Sequence, residues 1–71
     1  MEKTILTKRE QEIFNYLIQN KTTKDIALVL GINEKTVRNH ISNTIQKLGV
    51  KNRTSAIIEL IKLNQIHIKN W

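Results

Sequence analysis

The 71-residue chain contains no cysteine and no proline. Without cysteine, neither a disulfide nor a thiolate-held metal can brace it, and nothing marks an oxidising compartment. No apolar run approaches the ~18 residues of a membrane span, and Met1-Glu2-Lys3-Thr4 lacks the apolar stretch of a secretion signal. The expected location is the cytoplasm. His40 and His67, the only histidines, stand far apart with no carboxylate partner nearby, so no metal is expected. No nucleophile–base pair, carboxylate dyad or phosphate loop is visible, which argues against an enzyme, and no cofactor is called for. Phe14, Tyr16 and Trp71 are the only aromatics, so the core must be built from Ile, Leu and Val. That composition suits one small all-α bundle over residues 1–71, near the lower size limit for unaided folding.

What is present is positive charge, unevenly placed. The formal net charge is +6. In residues 1–20, Lys3, Lys8 and Arg9 are cancelled by Glu2, Glu10 and Glu12. Residues 21–53 carry Lys21, Lys24, Lys35, Arg38, Lys47, Lys51 and Arg53 against only Asp25 and Glu34. The excess sits in the middle of the chain, as a polyanion-binding surface requires, although a merely solvated basic face has the same composition.

Apolar periodicity and capping signals predict four helices, about 8–19, 23–30, 34–48 and 53–63. Thr7-Lys8-Arg9-Glu10 is a capping box with Leu6 outside it as a staple. Thr22 with Asp25 forms a second box, and Gly31 suits the left-handed residue that ends a helix. Asn33 caps the third helix, Gly49 ends it, and Asn52 caps the fourth, which Asn64 stops. Gln65 to Trp71 read as a turn and a loosely held tail. Helices two and three, joined through Gly31-Ile32-Asn33, form a helix-turn-helix with a fourth helix behind.

The third helix carries the chemistry. At about 100° per residue, Val37, Ile41, Ile45 and Leu48 gather on one inward stripe. Lys35, Arg38, Asn39, Ser42 and Gln46 occupy the outward arc, and Thr36, His40 and Lys47 the far flank. Arginine suits guanine, asparagine adenine, and serine either base, so Lys35, Arg38, Asn39 and Ser42 are the candidate base contacts in a major groove. Phosphate contacts are expected from Thr22, Thr23 and Lys24 at the start of the second helix, where a helix N-terminus favours an anion. They are expected also from Thr36, His40, Lys47, Lys51 and Arg53. Three of these have a competing structural reading. Lys47 also complements the helix C-terminus, Arg53 serves equally to pair with Glu10 or Glu12, and His40 suits packing at the bundle edge.

These residues also resemble a known family. Leu6-Thr7-Lys8-Arg9-Glu10-Gln11-Glu12-Ile13 is similar to the LTxREXEV opening of the LuxR/GerE-type DNA-binding domain. Lys24-Asp25-Ile26-Ala27 resembles its KEIA, and Thr36-Val37-Arg38-Asn39-His40 its TVxxH. Ile45-Gln46-Lys47-Leu48-Gly49-Val50 and Arg53-Thr54-Ser55-Ala56 resemble its closing IxxKLGV and RxxA. The match runs in order from residue 6 to 56. It departs where Asn20-Lys21 stands in place of the family's frequent glycine, and where Asp25 replaces Glu. The resemblance implies a sequence-specific DNA-binding transcription regulator whose partners are double-stranded DNA, a second copy through the fourth helix, and RNA polymerase. Thr54, Ile58 and Lys62, at helical spacing away from the core stripe, are the residues such a dimer implies. Most members join this domain to a controlling module. Taken as it stands, the chain is similar to the stand-alone members of spore-forming bacteria, which implies control of late-sporulation, spore-coat genes.

Two other readings share parts of the pattern. A protein-interaction module would use the apolar face of the fourth helix and leave the basic stripe for solubility. The promoter-reading end of a sigma factor shares the helix-turn-helix but should lack the TVxxH and KLGV pairing.

Overall fold

The computed structural model describes residues 5–66. They fold as α1 (Lys8–Leu17), α2 (Thr23–Leu30), α3 (Glu34–Leu48) and α4 (Arg53–Lys62). His67 to Trp71, part of the expected tail, lie outside the described residues, as do Met1 to Thr4.

Each helix begins at a side-chain cap. The Thr7 hydroxyl accepts from the Glu10 amide while Glu10 accepts from the Thr7 amide, and Thr22 with Asp25 repeats the arrangement. Asn33 and Asn52 accept from the Thr36 and Ser55 amides, both at 2.8 Å. Each such cap is worth about 1 kcal/mol, appreciable for a domain with so little core.

Two helices end sooner than their periodicity suggests. α1 stops at Leu17 rather than residue 19, because Asn20 turns into the left-handed region at φ 67. The amides of Gln19 and Asn20 then bond back three residues, and that of Lys21 reaches the Tyr16 carbonyl. Asparagine tolerates this conformation better than other non-glycine residues, so the bend is made here without a glycine. α4 stops at Lys62 rather than residue 63: Asn64 lies at φ 60 and the Gln65 amide closes onto the Leu60 carbonyl at 2.9 Å. Gly31 and Gly49 end α2 and α3 in the same left-handed conformation, with open space where a Cβ would stand.

α3 is the axis of the fold, packed against all three other helices. Ile13 and Phe14 of α1, Ile26 of α2, Val37 of α3 and Leu60 of α4 meet in one core and are fully buried. Each contributes about 1.5–3 kcal/mol by leaving water. Ile66 joins them at 1% exposure, so the turn expected from Gln65 is packed onto the core as far as residue 66. Gln65 fastens it, since its carbonyl accepts from Gln11 Nε2 and its side-chain oxygen from the Ile5 amide. Thr44 is fully buried too, its hydroxyl donating to the His40 carbonyl one turn back.

Candidate nucleic-acid interface

α3 divides cleanly into two faces. Val37, Ile41 and Thr44 are buried, whereas Lys35, Arg38, Asn39, Ser42, Asn43 and Gln46 are exposed. A 15-residue helix is about 22 Å long, enough for its outer arc to follow a major groove over several base pairs. The helix is held for this by its inward residues, which lock its rotation about its own axis against three neighbours.

The turn Gly31–Asn33 sets α2 beside the start of α3, and a polar link joins the two helices. The Thr23 hydroxyl donates to Glu34 Oε2 at 2.8 Å, and the same oxygen takes an Arg38 guanidinium nitrogen at 3.1 Å. Lys24 is exposed in the first turn of α2, beside the free amides of that helix end. Thr22 spends its oxygen on the cap, and its amide, followed by its hydroxyl, holds the Asp25 carboxyl below the ordinary aspartate value. Thr36 also serves a cap, its hydroxyl donating to Asn33 Oδ1 at 2.9 Å. His40 is half-buried on the flank, while Lys51 and Arg53 are exposed in the α3–α4 connection.

Lys47 has an internal partner besides the phosphate it is expected to grip. Its Nζ lies 2.6 Å from Glu10 Oε1 and donates to the Ile5 carbonyl at 3.1 Å, while the side chain stays 35% exposed. Glu10 itself is buried at 4% exposure. Burial works to raise its carboxyl pKa. The Lys47 hydrogen bond, the Thr7 amide and the Lys47 charge together outweigh that burial and hold the group below its ordinary value. The internal pairing anticipated for Arg53 falls to others, since Lys47 holds Glu10 and Arg9 holds Glu12 at 3.2 Å. Only half of this was visible in the sequence: helical phase sets Lys47 about 60° from Thr44, at the border of the buried stripe, but does not name its partner. The long lysine stem reaches from there over the core edge.

On α4, Thr54, Ile58 and Lys62 are exposed, with Ile58 at 49% and Leu63 beyond the helix at 41%. A second apolar pair went unread in the sequence. Leu28 and Val29 on α2 are 74% and 60% exposed, and the available clue was helical phase, which sets Leu28 about 160° from Ile26 and Val29 about 160° from Ala27. Among the described residues no helix is long and apolar enough to cross a membrane, and no cluster of acidic and histidine side chains could hold a metal.

The comparisons with known proteins agree with this geometry. The family described as "GerE: Bacterial regulatory proteins, luxR family" matches residues 4–60. The chain is 58% identical to the spore germination protein GerE of Bacillus subtilis (strain 168), over 93% of this chain and 89% of that one. The solved structure of the transcription factor GerE superimposes with a TM-score of 0.90 at 57% identity, covering 92% of this chain and 97% of that one. The transcriptional regulatory protein DegU of Brevibacillus brevis is 40% identical over 92% of this chain, which spans only 28% of DegU.

Proposed function

This chain belongs to the luxR family of bacterial regulatory proteins, and from that membership we propose that it regulates transcription by laying α3 in the DNA major groove. It is a DNA-binding transcription regulator of the GerE kind. In this reading Lys35, Arg38, Asn39 and Ser42 meet the base edges, while Thr22, Thr23, Lys24, Thr36, His40, Lys51 and Arg53 meet phosphates. Lys47, 35% exposed, meets a phosphate as well and shares its ammonium with Glu10. The observation that carries the proposal is the division of α3: four side chains able to discriminate bases are exposed on one arc of a helix whose other arc is locked in the core.

One such domain touches too few base pairs to single out a promoter, so the operator is read by a two-fold dimer on repeated half-sites. Ile58, exposed between Thr54 and Lys62 on α4, supports that interface. The setting is the cytoplasm, the second protein partner is RNA polymerase, and the target genes are those of late sporulation, the spore coat among them. Selection of bound duplexes from a random pool tests the whole reading. It should return one preferred motif, doubled with two-fold symmetry. A pool that emerges without any preferred sequence sinks the proposal, and a single undoubled motif sinks the dimer.

A further inference from the structure

Glu34 is a negative charge placed beside the arginine expected to read a base. On electrostatic grounds alone it should weaken DNA binding, because it stands on the face that approaches a polyanion. Its contacts show what it does in return. One oxygen, Oε2, receives both the Thr23 hydroxyl at 2.8 Å and the Arg38 guanidinium at 3.1 Å. Thr23 belongs to α2 and Arg38 to α3, so the carboxylate is fixed from two helices and is not free to follow the arginine about. The pair is partly exposed, at 55% for the Arg38 side chain and 43% for Glu34, so the bridge adds little to stability. It does restrict where the guanidinium points.

We propose that Glu34 is a specificity-determining positioning residue, which holds Arg38 toward the base edges and away from the phosphates. The inference rests on the placement of α3 in the groove proposed above. A guanidinium fits a phosphate as well as it fits guanine O6 and N7, and a free arginine at a DNA surface takes the phosphate readily. With Glu34 on one edge, an approaching phosphate meets a carboxylate beside its intended partner. The remaining N–H groups of Arg38 stay available for a bidentate contact with a base. Glu34 therefore sacrifices affinity for all DNA and retains affinity where the base rewards Arg38. Because the oxygen that holds Arg38 also accepts from Thr23, the aim of the arginine is tied to the packing of α2 on α3.

The test compares the full chain with its Glu34→Gln, Arg38→Ala and double variants, on the duplex selected from the random pool and on a scrambled duplex, across a salt series. Glutamine keeps the size and the acceptor oxygen but removes the charge. Glu34→Gln should tighten binding to the scrambled duplex and lower the ratio of specific to non-specific affinity by about tenfold. Its salt dependence on scrambled DNA should steepen by roughly one counterion, as the released Arg38 finds a phosphate. Placed on top of Arg38→Ala, the same substitution should leave the ratio unchanged, since the residue through which it acts is gone. A merely structural role would weaken both duplexes together and leave the slope alone, and that result overturns the inference. So does a fall in the ratio that persists without Arg38. If Arg38→Ala by itself leaves the ratio at the wild-type value, Arg38 reads no base and the inference is overturned, while the other α3 contacts stand. If Arg38→Ala lowers the ratio and Glu34→Gln does not, only Glu34's role is lost.

Discussion

Arg38 and Lys47 lie nine residues apart on the same helix, and each pairs with a glutamate, but the two pairs differ in almost every physical respect. Arg38 reaches Glu34 one turn away on its own helix, with both partners about half in water. Lys47 reaches Glu10, 37 residues earlier on α1, and that carboxylate is nearly sealed from solvent. The first pair is screened by solvent and adds little to stability. The second spans two helices, includes the Ile5 carbonyl, and would leave a buried charge if broken. One end of α3 therefore leaves its charged pair facing solvent, and the other is attached to the body of the domain. Net charge at the surface does not distinguish them; the burial of the acidic partner does.

The largest expected effect is at the attached end. Lys47→Met keeps the apolar stem but strands Glu10, and should cost about 2–3 kcal/mol in a denaturant titration. Arg38→Ala in the same titration should cost less than about 0.5 kcal/mol. Equal losses would erase the distinction. Next in size, Arg38→Ala should relax preference at one base pair by about 1–3 kcal/mol, read as the ratio of affinities for duplexes differing at that position. Lys47→Met should leave base preference intact once the protein is kept below its melting temperature.

Acid titration sharpens the contrast further. The Glu10 carboxyl has a lower pKa folded than unfolded. Its contribution is therefore complete above the unfolded value, about 4.3 for a glutamate, and is lost as pH falls through the folded value. Thermal melts from pH 6 downward should show stability falling in that window, and Glu10→Gln should flatten the fall. Asp25, also lowered, leaves a residual slope of the same sign. A variant with an unchanged acid profile would remove Glu10 from the account. The smallest effect belongs to Lys24, exposed at the start of α2. Lys24→Ala should weaken binding to all duplexes alike and reduce the salt slope by about one counterion.

Local chemistry made most of this architecture legible before any coordinates. Caps at Thr7, Thr22, Asn33 and Asn52 and stops at Gly31 and Gly49 are short-range signals, and α2 and α3 coincide with the stretches they delimit. The outward arc of α3 was equally readable, because helical phase alone decides it. What escaped were facts that depend on distant partners. Nothing near residue 47 in the sequence announces that Glu10 will lie beneath it. Nor does the stretch around Ile66 reveal that Gln11 and Ile5 will clasp the neighbouring Gln65. Helix ends at Asn20 and Asn64 were misplaced by one or two residues because periodicity continues past the point where a left-handed asparagine breaks the backbone ladder.

That clasp has a topological meaning. Gln65 binds Ile5 directly, so the described fold begins and finishes at one corner and α3 is moored there through Lys47. Viewed as a loop of peptide with its ends fastened, the molecule gets its shape from that latch and from the shared apolar centre. Linear order matters less. Latched in this way, the two ends of the described fold restrain each other against the fraying usual at chain ends.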